Sequence, residues 1–334
     1  MVKKLLMHPG FPIWFFHLPI VPCYLYLSLR RLSLAFFTNT NPAIHTGGFV
    51  NDSKTDYIKD IDAKLIPEYL YISQMRSFEA VLSELQRKKM VFPLIFKPNV
   101  GERGKGVVKV HNERELARQL EKNPSDVILQ EFIDYPLEFG VLYYRLPNTK
   151  EEGITSVTLK EIPNIKGDGI HTIKDLIESK YGNLSFENLG KINTGTILEK
   201  GEYLPLEYIA HRNRQCVFRN YNHINSPELL ATFSKISAQI EGFYFGRYDV
   251  KANSVEDLIS GNNIKILEIN GVGSQPIHIF DPAYSFLKTY SDLTTHWKLI
   301  YKISRQNQKR GFHPISFKKL YNEIQLNQET CQKF

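Results

Sequence analysis

Apolar positions recur at helical spacing in some stretches of this chain and crowd into short runs in others. Between Ser77 and Lys88 they fall at Phe78, Val81, Leu82 and Leu85, which predicts a helix, and the run 91–97 after it predicts a buried strand. Asn112 followed by Glu115 is a capping-box spacing that predicts a helix to about Glu121. Residues 126–132, 138–146 and 153–162 read as further strands. Thr172 with Asp175 predicts a helix over 173–180, and Ser226 with Pro227 opens a strongly amphipathic one that Gly242 stops. Strands are expected near 243–252 and 263–270, then a last helix initiated by Asp281 and Pro282. Residues 38–64 are polar and turn-rich and lead to a strand over 65–73. Mixed strands and helices, with several strands adjacent in sequence, predict an α+β fold with antiparallel sheets.

Residues 11–29 are the most apolar stretch of the chain. Pro12, Pro19 and Pro22 interrupt it and argue against one continuous helix. No small-residue cleavage site follows, so a signal peptide is not expected. Three readings remain for it: an arm packed on the main domain, an interfacial anchor with Trp14, Phe15, Phe16, Tyr24 and Tyr26 beside Arg30 and Arg31, or a membrane span.

Charge separates the ends from the middle. The 334-residue chain carries a formal +7, divided into +4 over residues 1–51, +5 over 301–334 and −2 between them. Nucleic-acid binders spread basic residues over a folded face, so nucleic acid is not an expected partner. Basic ends around a near-neutral core suit a membrane surface, met through residues 1–45, or another acidic partner. Three cysteines, Cys23, Cys216 and Cys331, form no disulfide framework and suit the reducing cytoplasm.

Two segments hold residue types with chemistry. In the first, a strand ends at Lys97 and a loop with Gly101, Gly104, Lys105 and Gly106 leads into a second strand. Glycines let loop amides fold over an anion and Lys97 offers a point charge to phosphate, although a ligand-free hairpin turn accounts for the same pattern. No Gly-Lys-Ser/Thr opens a helix, so this is not a P-loop. In the second, Arg247 and Asp249, then Glu268 and Asn270, each lie two apart on a strand and share a face. A hairpin between them gathers Asp249, Glu268 and Asn270 as oxygen ligands suited to Mg²⁺, with Arg247 beside them to balance phosphoryl charge. Two outward-facing polar strands with no metal are the plainer reading. Glu131, Phe132, Ile133 and Glu138 lie between the two segments, where a strand runs into a turn.

Taken in this order, the segments resemble the ATP-grasp superfamily, nearest in style to D-alanine–D-alanine ligase and the carboxylate-amine ligases, over residues 50–300. The resemblance implies that two lobes with antiparallel sheets clamp ATP. A small lobe over 51–130 would carry the flap and a large lobe over 131–300 the metal and substrate site, between an arm at 1–50 and a basic tail at 301–334. It assigns Lys97 and Lys54 to phosphate, the loop 101–106 to the flap, and Glu131, Phe132 and Ile133 to adenine. Glu138 falls to ribose, Arg247 to catalysis with Lys97, and Asp249, Glu268 and Asn270 to Mg²⁺, with Mn²⁺ an alternative cation. Lys166–Ile173 resembles a segment of cyanophycin-synthetase-like ligases and reads chiefly as a turn and helix cap.

Two departures bear on the substrate. Only about fifty residues precede Lys54, where those ligases carry a full α/β domain, and the loop Gly271-Val272-Gly273-Ser274 is not theirs in sequence. Gly271, Gly273 and Ser274 are expected to offer amides to an acyl phosphate. The basic cluster His211, Arg212, Arg214, Arg219 and His223 is either a seat for a substrate carboxylate or a solvated loop. The resemblance implies an enzyme that joins a small carboxylate to an amine through an acyl phosphate. The rival readings are an ATP-grasp kinase acting on a hydroxyl and a non-catalytic ATP-binding protein at a membrane surface.

Overall fold

The computed structural model describes residues 13–73, 76–101, 104–123, 125–182, 186, 192–210 and 214–332. The chain divides into one unit of Met1–Leu159 with Arg219–Phe334 and a second of Lys160–Phe218. The second unit therefore lies inside the stretch expected to form the large lobe.

In chain order the helices and strands of the first unit begin with α1 (Ile13–His17), α2 (Val21–Arg31) and α3 (Lys54–Ile58). There follow β1 (Tyr69–Ile72), α4 (Phe78–Arg87), β2 (Leu94–Pro98), β3 (Val108–Val110), α5 (Glu113–Lys122), β4 (Val127–Glu131), β5 (Leu137–Arg145) and β6 (Glu152–Glu161). The second unit holds β7 (Asn164–Lys166), α6 (Ile173–Tyr181) and β8 (Tyr203–Pro205). The chain returns through β9 (Val217–Asn220), α7 (Pro227–Ser237), β10 (Phe245–Ala252), α8 (Val255–Ser260), β11 (Ile264–Asn270), α9 (Phe286–Lys309) and α10 (Phe317–Gln332). Its two main sheets make the α+β architecture that the ATP-grasp resemblance implies.

The smaller sheet has the order β1-β4-β2-β3, with antiparallel neighbours throughout. Val81 and Leu85 of α4 and Leu116 of α5 pack with Leu70, Leu94, Phe96, Val110 and Leu129 of its strands into a closed core. Ser77 and Asn112 accept from the third backbone N–H of their helices, as their positions predict.

The larger sheet has the order β11-β10-β5-β6-β9. Tyr248 and Val250, Phe139 and Val141, and Ile266 and Ile269 face Leu229 and Phe233 of α7 and Leu258 of α8. Alternation sends Arg247, Asp249, Glu138, Gly140, Leu142, Glu268 and Asn270 to the other face. One end of that face is covered: Leu142 and Phe245 pack under Phe36, Phe37, Leu299, Ile300 and Leu320. A β-bulge interrupts the β10–β11 ladder, with Asp249 opposite Glu268 and Val250 opposite Ile266, so that Leu267 has no cross-strand partner.

In the second unit β7 pairs with β8, and Ile165, Ile173, Ile177, Leu198 and Leu206 form a small core. Thr172 and Asp175 make the full capping box at the start of α6.

The apolar run is divided as the prolines predict, into α1, a 3₁₀ turn over Leu18–Ile20 and α2, with Pro22 in the first turn of α2, where a missing N–H costs nothing. Two expectations need correction. The last amphipathic stretch begins at Ser285, whose side chain caps Lys288, while Asp281 accepts from the N–H groups of Asn220 and Ala283. Residues 301–332 do not form a tail, because α9 buries Ile303, Ser304 and Asn307 and α10 buries Leu320 and Asn327. All three cysteines are free, and no helix among the described residues is long and apolar enough to cross a membrane.

Candidate active site

The bulge at Leu267 organises the site. Its carbonyl accepts from Lys97 Nζ at 3.1 Å and from Gln130 Nε2 at 3.4 Å, and Lys97 Nζ also donates to Gln130 Oε1 at 2.9 Å. Lys97 thus reaches from the small sheet to the large one. Burial lowers its pKa to about 8, an effect that Lys54 reinforces and Glu268 opposes.

Lys54 approaches from α3. Its Nζ donates to the Gly101 carbonyl at 2.9 Å and lies 3.5 Å from Glu268 Oε1. Its backbone N–H bonds to the Asn99 carbonyl and the Ser53 hydroxyl to the Asn99 side chain, which ties the start of α3 to the end of β2. Gly104 and Gly106 have φ of 69° and 68°, the left-handed region where glycine avoids a Cβ clash, and Lys105 between them is exposed.

On the floor, Arg247 Nε and Nη2 donate to the two oxygens of Asp249 at 2.8 and 3.1 Å, a bidentate pair. Asn270 Nδ2 lies 3.3 Å from Asp249 Oδ2, and Glu268 stands directly across the ladder. Burial acts to lower the Arg247 pKa, but the carboxylates of Asp249, Glu268 and Glu138 outweigh it and raise it. Arg247 stays charged although its side chain is only 16% exposed.

Asp249, Glu268 and Asn270 make a hard oxygen set with two carboxylates, which suits a divalent cation that takes its remaining ligands from phosphate and water. Among the described residues no group of three or more His, Cys, Asp or Glu is arranged to hold a metal. Both oxygens of Asp249 are held by Arg247 here, so the guanidinium and a cation would compete for one carboxylate.

At the expected adenine hinge, Ile133 is buried, and Glu131 accepts from the Glu68 N–H at 3.2 Å. Lys109 Nζ sits 3.5 Å from the Phe132 ring centroid and Lys251 5.8 Å from it. Burial lowers the pKa of both lysines. Glu138 is buried beside them and acts electrostatically on both Lys251 and Arg247.

The loop after Asn270 departs from expectation. The N–H groups of Val272, Gly273 and Ser274 donate to the carbonyls of Gly47, Gly48 and Gly271, and the Ser274 hydroxyl also donates to Gly271. Val272 and Gly273 thus brace the segment 47–49, Ser274 closes the loop on Gly271, and the amides of Gly273 and Ser274 are not presented to an anion. Arg214 pairs with Glu207 inside the second unit, whereas Arg219 and His223 belong to the first, with His223 exposed against the Tyr221 ring. Arg212 and His211 lie outside the described residues.

Two hydrogen-bonded groups near the site were not singled out from sequence. Tyr57 donates to Asp52 Oδ2 at 2.6 Å, with burial raising the pKa of both. His278 bonds Ser156 Oγ through Nδ1 at 2.7 Å and Asp292 through Nε2 at 3.0 Å, and Tyr284 donates to the same carboxylate. The His278 group has no local sequence signature, since His278 and Ser156 are 122 positions apart.

Comparison with solved structures gives partial likenesses. A bifunctional glutathione synthetase from Pasteurella multocida aligns at 14% identity and a TM-score of 0.36, over 70% of this chain and 34% of that one. D-alanine–D-alanine ligase from Bacillus anthracis complexed with ATP aligns at 15% identity and 0.41, over 75% of this chain and 64% of that one. The VanG D-Ala:D-Ser ligase from Enterococcus faecalis aligns at 16% identity and 0.38, over 70% and 57%. The chain thus spans between about a third and two thirds of the length of these proteins. No family model and no curated protein matches the sequence. At these scores the likeness is one of element arrangement, and the chemistry rests on this chain's own side chains.

Proposed function

We propose that the protein is an ATP- and Mg²⁺-dependent ligase that activates a small-molecule carboxylate as an acyl phosphate and transfers it to an amine. The observation that carries this reading is the meeting of Lys97, Lys54, Glu268, Asp249 and Arg247 around the Leu267 bulge, three cations and two carboxylates on the polar face of one sheet. Cations in a desolvated setting stabilise the charge of a transferring phosphoryl group far more than they would in water. Lys97 and Lys54 would hold the phosphates, beneath a flap formed by residues 101–106. Glu138 would hold ribose, and Glu131, Phe132 and Ile133 would border adenine.

Asp249, Glu268 and Asn270 would hold Mg²⁺, which when bound neutralises phosphate charge; Mn²⁺ suits the same donors. Arg247, once released from Asp249, would turn its guanidinium to the transferring group. In the first step a carboxylate oxygen of the substrate bonds to the γ-phosphorus as the β,γ-bridging bond breaks, releasing ADP. The amine nitrogen then bonds to the acyl carbon, phosphate leaves and the amine loses a proton. Arg247 orients and neutralises in both steps.

The test is incubation with ATP, Mg²⁺, hydroxylamine and a pool of amino and hydroxy acids. Hydroxamate is the expected product, since hydroxylamine intercepts acyl phosphates. A phosphorylated alcohol would replace this reading with the kinase, and ATP binding without either product would replace it with a non-catalytic binder. Asp249→Asn combined with Glu268→Gln should abolish Mg²⁺-dependent ATP use, and retained activity would remove the metal assignment.

A further inference from the structure

Helix α2 inverts the usual distribution of a surface helix. Cys23, Tyr24, Leu27, Ser28 and Arg31 face the protein, with Arg31 donating to Ser304 and Gln308 of α9. Val21, Pro22, Leu25, Tyr26 and Leu29 face outward, and Leu32 follows just past the helix. Leu25, Leu29 and Leu32 are 46%, 73% and 94% exposed. Phe15 and Leu18 extend the apolar strip toward the amino terminus. A helix that turns a half-buried arginine inward and leaves Leu25 and Leu29 exposed is shaped for a second apolar medium on its outer side.

The surroundings identify that medium by charge. Helix α9 touches α2 through Trp297, Tyr301, Ser304 and Gln308. One residue on from each contact stands an exposed base: Lys298, Lys302, Arg305 and Lys309, of which Lys302 pairs with Glu151 at 3.8 Å. Arg30 adds a cation at the edge of the strip, donating to Tyr26 Oη. Residues 1–51 and 293–322 contain no Asp or Glu.

We infer that the outer face of α2, flanked by the bases of α9, docks on an anionic phospholipid surface, with the helix lying in the plane of the headgroups. Apolar side chains of such a helix enter the headgroup boundary by roughly 5–10 Å while flanking Lys and Arg pair with anionic lipid. Tyr26 and Phe15 suit that boundary. A second copy is disfavoured as the occupant, because a two-fold contact would set one basic flank against another. This docking does not depend on the ligase reading.

The experiment is sedimentation of the full chain with vesicles of phosphatidylcholine alone and of phosphatidylcholine mixed with phosphatidylserine. Binding is expected to the mixed vesicles and to weaken with added salt. Leu25→Ser with Leu29→Ser should lower partitioning at least about tenfold, since two apolar side chains no longer enter the boundary. Lys298→Gln with Arg305→Gln and Lys309→Gln should remove the preference for phosphatidylserine. Thermal melts of both variants, expected to match the parent, show that folding is intact. Failure of the parent to bind, or equal binding by the folded leucine variant, overturns the inference. A parent dimer that the leucine changes dissociate, without vesicle binding, overturns it in favour of a second copy.

Discussion

The floor of the large sheet and the outer face of α2 break the ordinary burial pattern in opposite directions. On the floor, charged side chains are enclosed and paired: Arg247 with Asp249, Lys97 with Leu267 and Gln130. On α2, leucines stand in water with no polar compensation. Enclosed charge costs stability unless it is matched, and exposed leucine forgoes stability that burial would give. Deviations of either sign concentrate where a surface or site acts on something else, and here each sign fits a different target. Compact, highly charged phosphate suits the floor, and a broad apolar boundary suits the helix.

The largest expected break in this contrast is Arg247→Ala. It leaves the Asp249 carboxylate enclosed without its guanidinium, so denaturant unfolding should show a loss of about 3 kcal/mol. Turnover in the hydroxamate assay should fall by on the order of 10²-fold or more, as for loss of a transition-state charge partner. Arg247→Lys, which keeps the charge without the fork, should recover part of the stability and little of the rate. Recovery of full rate by lysine would show that geometry at Asp249 is unimportant.

Gly48→Ala comes next. Gly48 has φ of +79°, and an added Cβ would lie 2.1 Å from Tyr57 Oη and 2.7 Å from Gly271 Cα. A loss of about 2 kcal/mol is expected from strain and overpacking, read by thermal or denaturant unfolding. An unchanged melt would mean that the 47–49 and 271–273 segments do not meet as described.

A smaller effect is expected from pH. Lys97 has a folded pKa lowered from 10.5 to about 8, so the unfolded chain holds more protons than the folded one between those values. Stability from this group therefore rises as pH increases from about 8 toward 10.5. Lys97→Met should abolish that rise, measured as the difference in denaturant midpoint between about pH 7.5, below the window, and about pH 9.5, well inside it. The smallest effect is that of Leu25→Ser on stability, within about 0.5 kcal/mol, because that side chain already contacts solvent.

Much of this was legible locally. Ser77, Asn112, Thr172 and Ser226 mark helix starts because a cap is a property of four consecutive residues, and all four accept the expected backbone N–H. Alternation on β10 and β11 places Arg247, Asp249, Glu268 and Asn270 on one face without tertiary information. The bulge at Leu267 left no mark in sequence, since which residue loses its partner depends on register between two strands. Asp52 and Tyr57 were missed for a similar reason: their setting is made by Gly48 and Gly271, more than two hundred positions apart. The prolines divide the apolar run as their chemistry predicts, and Pro22 also opens the second helix, because a residue that breaks a helix interior is tolerated in its first turn.

The contact between Gly47-Gly48 and Gly271-Val272-Gly273 also governs how the protein can be dissected. Segment 36–50 is threaded between α9 and the loop that follows Asn270, with Asn39 and Asn307 bonded across it and Asn41 holding Gly47 and Phe245. Shortening the chain from its amino terminus past about residue 35 would therefore take away the segment that braces the loop after Asn270, along with the apolar helix. A truncated protein that lost both membrane binding and turnover would confound two separate properties, which single surface substitutions on α2 keep apart.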